Sequence, residues 1–195
     1  MDIKKYRGAI FDLDGVLVDT AKYHYLAWKE LADELGFDFT RQQNEALKGV
    51  SRMRSLELLL GFGGMTDRFS EEELYEMAEK KNRLYVEYVK KLKQEELLPG
   101  VKELLERLKK SGIQTALGSA SKNAEMILDN LKIREYFDAV VDGTMVTKAK
   151  PDPEVFVRAA RNLKISCENC IVFEDSEAGL QAAKKAGMKA IGIGN

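Results

Sequence analysis

The feature that most constrains the fold is an alternation of short apolar runs with helical patterns. The runs have the length and composition of buried strands: Ala9–Phe11, Thr115–Leu117, Ala139–Val141, Ile171–Phe173 and Ala190–Ile193. Helical periodicity separates most of them, over Val101–Lys110, Ala124–Leu131, Pro153–Leu163 and Glu177–Ala186. Strands that alternate with helices favour a parallel sheet covered on both faces. The sequence therefore predicts an α/β protein with a doubly wound, Rossmann-like parallel sheet.

One long interval departs from this alternation. Between the first and second runs the sequence has helical periodicity only, over Tyr23–Leu35, Met53–Leu60 and Glu71–Lys93. The turn residues Leu98-Pro99-Gly100 mark the return to the first pattern. We therefore predict an α/β catalytic core over residues 1–19 and 98–195, with an all-helical domain inserted over residues 20–97.

Composition excludes several classes of partner. Of the 195 residues, 31 are Lys or Arg and 32 are Asp or Glu, which gives a net charge of −1. Such a balance does not favour a surface that binds nucleic acid. No apolar stretch approaches the roughly 18 residues of a membrane span, and no signal-peptide pattern is present. The sequence predicts a soluble cytoplasmic protein that binds neither nucleic acid nor membranes.

The two cysteines form a Cys-x-x-C pair at Cys167 and Cys170. This spacing occurs in redox motifs, but those lie at the start of a helix, whereas this pair precedes a predicted strand. A structural zinc site needs further ligands, and the only histidine is His24. Two reduced thiols in a loop are the expected state.

The first predicted strand ends in two carboxylates, Asp12 and Asp14, which are followed by Gly15. Alternate side chains of a strand share a face, so both carboxylates would point the same way. Gly15 allows the backbone to turn immediately after them. Like charges in this position repel, and a metal ion with a reacting group between them would explain their presence. An acidic turn without function fits the same spacing.

Polar side chains also follow two other predicted strands, at Ser119 and Asp175. Ligands of parallel sheets bind beyond the carboxyl ends of the strands, which predicts a shared site. With Asp12, Asp14 and Glu174, this site would hold several negative charges, which require a cation; an all-oxygen set of ligands favours Mg²⁺. Glu174-Asp175-Ser176 would alternatively form the N-terminal cap of a helix.

Three further segments could bind a phosphate. Lys150 precedes Pro151 and is therefore expected in an extended segment, although a single lysine is more often a surface charge. Ser121, Lys122 and Asn123 would open a helix, whose N-terminus favours anions. In the insert, Gly49-Val50-Ser51-Arg52 would place a capping serine and a guanidinium at another helix start, which is also typical of an ordinary capped helix.

Four segments, in this order, resemble the motifs of the haloacid dehalogenase-like phosphotransferases. They are Asp-Leu-Asp-Gly-Val-Leu-Val-Asp-Thr from Asp12 to Thr20, Gly118-Ser119-Ala120-Ser121, Lys150-Pro151-Asp152-Pro153 and Phe173-Glu174-Asp175-Ser176. The resemblance covers essentially the whole chain. It implies that Asp12 is a nucleophile that forms an aspartyl-phosphate and that Asp14 is the general acid and base. It also implies that Lys150 and Ser119 hold the phosphoryl oxygens.

The resemblance implies a Mg²⁺ site formed by Asp12, the backbone carbonyl of Asp14, and Asp175, with Glu174 in or beside the coordination shell. In the helical insert, Thr20, His24 and Trp28 recur every fourth residue, as in the β-phosphoglucomutase branch of the family. There Thr20 and His24 would link closure of a cap domain to the position of Asp14. The residues implied in substrate and phosphate binding are Trp28, Lys48, Gly49, Val50, Ser51, Arg52, Ser55, Ala120, Ser121, Lys122 and Asn123.

This branch implies Mg²⁺-dependent interconversion of β-glucose 1-phosphate and glucose 6-phosphate, with glucose 1,6-bisphosphate as primer and a monomeric enzyme. A phosphatase that hydrolyses small sugar phosphates would use the same core motifs. A binding protein without catalysis would have lost some of Asp12, Asp14, Lys150 and Asp175, and all four are present. Met53-Arg54 stands where relatives often carry acidic residues. Relatives also usually continue beyond the last strand, so we expect a shortened chain.

Overall fold

The computed structural model describes residues 5–47 and 51–194, which form a parallel sheet and two groups of helices. The strands are β1 (Gly8–Phe11), β2 (Gln114–Gly118), β3 (Ala139–Val141), β4 (Cys170–Glu174) and β5 (Lys189–Gly192). Their spatial order is β3-β2-β1-β4-β5, with every neighbouring pair parallel. The carboxyl ends of all five strands therefore meet at one edge, and the predicted α/β parallel-sheet fold is confirmed.

The helices occur in chain order as α1 (Ala21–Glu34), α2 (Arg41–Glu45), α3 (Arg52–Phe62), α4 (Glu71–Val89), α5 (Val101–Lys110), α6 (Ala124–Asn130), α7 (Glu154–Leu163) and α8 (Glu177–Lys185). The first four lie between β1 and β2, as the helical insert predicted from the sequence. The strands and α5–α8 begin and end within one residue of their predicted bounds.

The sheet holds a hydrophobic core on one face and an aromatic stack along its central strands. Helices α7 and α8 bury Phe156 and Ala182 against Ile10 of β1 and its neighbours in β2 and β4. The next residue of β1, Phe11, points to the opposite face. Its ring stacks on Phe173 of β4 with centroids 4.5 Å apart. This packing fixes the central strands, which end in the acidic residues.

The chain divides into two compact units, Thr20–Lys91 and the remainder, Met1–Asp19 with Leu92–Asn195. In the sheet unit the outgoing and returning segments lie side by side, because Val18 pairs with Leu97 and the Leu98 amide donates to the Leu17 carbonyl at 2.9 Å. The helical unit has a hydrophobic core of its own, built from Trp28, Leu31, Ala32, Phe39, Leu47, Leu56, Leu59, Leu60 and Ala78.

Two details of the helical insert differ from prediction. Helix α2 was not predicted, since its five residues are too few to show a period; its signal is the capping box between Thr40 and Gln43. Helix α4 ends at Val89 and not at Lys93. The lysines that follow favour a helix by composition, but the chain turns and enters a short 3₁₀ turn at Gln94–Glu96. Among the described residues, no helix is long and apolar enough to cross a membrane.

The cysteine pair lies where β4 begins. Cys167 belongs to a short 3₁₀ turn, Cys167–Asn169, and Cys170 is the first residue of the strand. Both are free thiols, as expected, although Cys170 was wrongly placed in a loop. Burial raises the pKa of the Cys170 thiol to about 11. Because the thiolate is the reactive form, this pKa makes Cys170 a poor nucleophile at neutral pH.

A lysine is buried in the interior of the helical unit. Lys81 of α4 is only 3% exposed. Its Nζ lies 2.7 Å from Nδ1 of His24 and over the rings of Trp28 and Tyr85, at 4.6 and 5.1 Å from their centroids. Burial, with the nearby charge of Arg52, lowers the pKa of Lys81 to about 7. The same two influences, with the charge of Lys81, lower the pKa of His24 to about 3.

The depressed pKa of Lys81 predicts a specific pH dependence of stability. In the unfolded chain the Lys81 side chain has its ordinary pKa of 10.5 and is protonated below that pH. In the folded chain it becomes protonated only below about pH 7. The free-energy cost of burying Lys81 therefore grows as the pH falls from 10.5 to 7, by up to about 1.4 kcal/mol per pH unit. Lys81→Met removes this penalty. The stability of the variant relative to the parent, measured by urea unfolding, should therefore decrease as the pH rises from 7 to 10.

The same exchange at the neighbouring Lys80 is the control. Lys80 is half exposed and pairs with Glu34. Lys80→Met should leave the relative stability independent of pH over this range. A flat difference for Lys81→Met would contradict the buried, neutralised state of Lys81.

Candidate active site

The loop after β1 places two carboxylates at the carboxyl edge of the sheet. Asp12 remains bonded to the sheet, since its amide donates to the Phe173 carbonyl at 2.9 Å. The chain then closes a tight loop, in which the Gly15 amide donates to the carbonyl of Val18 at 2.9 Å. Gly15 has a φ of 74°, and a Cβ there would lie 2.0 Å from Oδ2 of Asp175. A glycine is therefore required both for the turn and for the approach of Asp175.

Lys150 joins the acidic residues of β1 and β4. Its Nζ donates to Oδ1 of Asp12 at 2.5 Å and to Oε2 of Glu174 at 2.7 Å. The side chains of Lys150, Asp12 and Glu174 are 11%, 10% and 1% exposed, so these ion pairs are largely removed from water. Because a buried charge costs several kcal/mol unless it is paired, the three groups stabilise one another. Lys150 is not the surface charge that a lone lysine usually is.

The charge balance gives the carboxylates different proton affinities. Burial raises the pKa of Asp12 to about 7, with Lys150 opposing this rise and Glu174 and Asp14 adding to it. Glu174 is also buried, but Lys150 and hydrogen bonds from Ser176 outweigh the burial and lower its pKa. Burial and the proximity of Glu174 raise the pKa of Asp175. A bound cation would favour the ionised forms of Asp12 and Asp175 in the same way that Lys150 favours that of Glu174.

Three of these carboxylates form a candidate metal site. Oxygens of Asp12, Glu174 and Asp175 lie within 4.8 Å of one another. This is an all-oxygen set of anionic donors, the type that hard divalent cations bind. The residues present therefore fit the cation that the sequence predicts.

The segment after β4 fixes Glu174 from two sides. The Ser176 amide and hydroxyl donate to Oε1 of Glu174 at 3.0 and 2.8 Å. A Cβ on Gly179 would lie 2.0 Å from Cδ of Glu174, so only glycine leaves room for this carboxyl group. The Ser176 hydroxyl also accepts from the Gly179 amide and caps α8. The helix cap that the sequence allows is therefore present, and the same serine also holds Glu174.

The segment after β2 forms a series of tight turns at the same edge of the sheet. The buried Ser119 hydroxyl accepts from the Ser121 amide at 3.0 Å, and the Ser121 hydroxyl accepts from the Asn123 amide at 3.3 Å. Asn123 precedes α6 as its N-cap residue. Ala120 and Lys122 lie between these serines and Asn123. The segment thus lies beyond the strand that neighbours β1, as the sequence predicts.

The predicted site residues of the helical insert belong to the helical unit, Thr20–Lys91. Thr20 is the N-cap of α1, which carries His24 and Trp28, and the His24 ring stacks on Tyr85 at 4.0 Å. Ser51 caps α3 through its hydroxyl, and Arg52 is the first residue of that helix. Arg52 pairs with Glu79 of α4, and the Ser55 hydroxyl donates to the Leu47 carbonyl at 3.5 Å. Lys48, Gly49 and Val50 lie outside the described residues.

The structure thus assembles two clusters from distant parts of the sequence. Asp12, Lys150, Glu174 and Asp175 meet at the sheet edge, with Asp14 close enough to influence the pKa of Asp12. His24 and Trp28 meet in the helical unit around Lys81, which the sequence analysis missed. The burial of Lys81 could have been predicted from helical spacing, because Lys81 lies three residues after Ala78 and four before Tyr85, on the buried face of α4. The pairing of Glu79 with Arg52 could not be predicted in this way, because the two residues lie on different helices.

This chain is similar in sequence and in fold to several known proteins. The β-phosphoglucomutase of Bacillus subtilis is 47% identical, over 96% of this chain and 83% of that protein. A phosphorylated carbohydrates phosphatase of Thermotoga maritima is 34% identical, over 93% of this chain and 82% of that protein. The crystal structure of a β-phosphoglucomutase from Clostridium difficile matches with a TM-score of 0.86 at 44% identity, over 97% of this chain and 85% of the other.

The pattern of haloacid dehalogenase-like hydrolases matches this sequence over residues 9–193. With the parallel sheet, the helical insert after β1 and the lysine-bridged carboxylates at its edge, the chain belongs to the haloacid dehalogenase-like hydrolase family.

Proposed function

We propose that this protein is a Mg²⁺-dependent β-phosphoglucomutase that interconverts β-glucose 1-phosphate and glucose 6-phosphate. The observation that supports this proposal is that the chain carries two sets of groups whose chemistry favours phosphate. One set surrounds Asp12 and Lys150 at the sheet edge. The other is the capped helix start at Ser51 and Arg52. A mutase needs both, since its bisphosphate intermediate carries two phosphates.

The proposed chemistry assigns covalent catalysis to Asp12. A carboxylate oxygen of Asp12 attacks phosphorus, and the bond from phosphorus to the sugar oxygen breaks, which leaves an aspartyl-phosphate. Asp14 gives a proton to the departing sugar oxygen. In the second half-reaction Asp14 takes a proton from the hydroxyl group of the other sugar position, and that oxygen attacks the aspartyl-phosphate. General acid and base assistance of this kind accelerates reactions by about 10²–10⁴-fold.

Positive charge is the other requirement of phosphoryl transfer. Lys150, already within 2.5 Å of Asp12, is placed to neutralise the phosphoryl oxygens, and the Ser119 hydroxyl would bind the same oxygens. Mg²⁺ would be held by Asp12, the backbone carbonyl of Asp14, and Asp175, with Glu174 beside them. When bound, it supplies a charge that offsets the carboxylates and the phosphoryl group.

The second phosphate would bind at the start of α3. Ser51 and Arg52, together with Lys48, Gly49 and Val50, would grip the phosphate that is not being transferred, and Ala120, Ser121, Lys122 and Asn123 offer a further anion site. Helix starts and guanidinium groups both favour phosphate. Ser55 would support this segment from the next turn of α3.

We further propose that the helical unit acts as a cap over the site, with Thr20 and His24 coupling its closure to the position of Asp14. Trp28 would contribute to the sugar-binding surface. Glucose 1,6-bisphosphate would serve as the primer that phosphorylates Asp12. A monomeric state and a cytoplasmic location stay predictions.

A phosphatase is the second candidate, because relatives of similar coverage include the Thermotoga maritima phosphatase. A phosphorus NMR time course with β-glucose 1-phosphate, Mg²⁺ and catalytic glucose 1,6-bisphosphate separates the two. The mutase predicts growth of glucose 6-phosphate without inorganic phosphate, no turnover without the bisphosphate, and none after Asp12→Asn. Accumulation of inorganic phosphate as the main product would reject the mutase in favour of the phosphatase.

The second phosphate site predicts unequal effects of two neighbouring arginines. Arg52→Ala should lower kcat/KM for β-glucose 1-phosphate about ten- to a hundredfold, the cost of a lost charge-assisted hydrogen bond. Arg54 lies on the same helix but is exposed and pairs with Glu57. Arg54→Ala should therefore change kcat/KM by less than about twofold. Equal effects of the two substitutions in steady-state assays would remove Arg52 from the proposed site.

A further inference from the structure

The segment that leads to Lys150 is exposed and has little packing of its own. Thr147, Lys148 and Ala149 are all exposed, whereas the Lys150 side chain enters the buried acidic site. A lysine on such a segment reaches two carboxylates at hydrogen-bond distance only if the preceding backbone is held. The residue that holds it lies beyond Pro151, at the start of α7.

One carboxylate oxygen accepts three hydrogen bonds from this segment. Oε2 of Glu154 accepts from the Thr147 amide at 3.0 Å, from the Thr147 hydroxyl at 3.0 Å and from the Lys148 amide at 2.9 Å. The amide bonds lower the pKa of Glu154, which keeps it ionised and strengthens them. A negative charge in the first turn of α7 is also favoured by the helix dipole.

Glu154 is itself anchored to the core. Its amide donates to Oδ1 of Asp152 at 3.0 Å, and the Asp152 amide donates to the Ala149 carbonyl at 3.0 Å. Two residues further along α7, Phe156 is fully buried, and its ring lies 4.9 Å from Nζ of Lys150. The segment on both sides of Lys150 is thus tied to α7, whose Phe156 belongs to the hydrophobic core.

We propose that Glu154 is a positioning residue, which holds the Thr147–Lys150 segment so that the ammonium group of Lys150 spans Asp12 and Glu174. Glu154 acts through Lys150, so its effect on turnover depends on the role proposed above for that lysine. A displacement of about 1 Å at a reacting group costs up to about 10² in rate. Loss of Glu154 should therefore lower kcat, while the KM for the sugar phosphate changes little.

Two measurements test this role independently. Trypsin cleaves after lysine but not before proline, so within this segment it can cut the Lys148–Ala149 bond and not the Lys150–Pro151 bond. Mass spectrometry of the folded protein under limited digestion reports that cleavage. Glu154→Ala should speed it about tenfold or more, since three hydrogen bonds are lost. In turnover assays the same variant should lose about ten- to a hundredfold in kcat.

Matched variants separate positioning from general damage. Glu154→Gln keeps an acceptor oxygen and should recover part of both effects. Arg158 pairs with Glu154 at 3.5 Å, and Arg158→Ala should change neither the cleavage nor kcat. In a Lys150→Ala background, Glu154→Ala should cause no further loss of kcat, because a residue that acts only through Lys150 cannot affect kcat once Lys150 is removed.

Three results would overturn the assignment. The first is faster cleavage at Lys148 with an unchanged kcat, and the second is unchanged cleavage with a reduced kcat. The third is a full loss of kcat from Glu154→Ala in the Lys150→Ala background. Unaltered turnover in Lys150→Ala alone would instead reject the proposed function of Lys150, whatever Glu154 does to the segment.

Discussion

The structure depends on the neutralisation of crowded carboxylates at one edge of a parallel sheet. Asp12, which follows β1, and Glu174, which ends the neighbouring β4, would repel each other without a cation between them. Lys150 provides that cation from a segment far away in sequence, at 2.5 and 2.7 Å. Burying these charges costs free energy, which their mutual pairing offsets. Such buried charge is typical of a site in which an anionic group and a metal ion complete the balance.

The carboxyl groups at this site are closely packed against the backbone. Gly15 and Gly179 each leave a gap that a carboxyl group of Asp175 or Glu174 fills. The helical unit also buries an ionisable group, because Lys81 lies against His24 and aromatic rings and its pKa is lowered to about 7. Native structures keep unfavourable charges of this kind mainly where function requires them. Both clusters contain residues to which the proposed function assigns a role.

Much of the fold could be predicted because each strand and helix carries its own local signal. The apolar runs and helical periods located the sheet, the insert and the edge at which Asp12, Ser119 and Asp175 lie. The ion pairs of Lys150 could not be derived from local pattern, since they join residues 24 and 138 positions apart. Contacts such as Arg52 with Glu79 depend on how two helices pack, which periodicity does not specify.

The central claim is that Asp12, and no neighbouring carboxylate, becomes the phosphorylated group. The most direct measurement mixes the protein with Mg²⁺ and glucose 1,6-bisphosphate and quenches the reaction in acid. Borohydride then reduces the aspartyl-phosphate to homoserine with release of phosphate, and peptide mass spectrometry locates the homoserine. The account predicts the modification at Asp12 and its loss in Asp12→Asn. Homoserine at position 14 or 175, or turnover with no carboxylate converted, would contradict it.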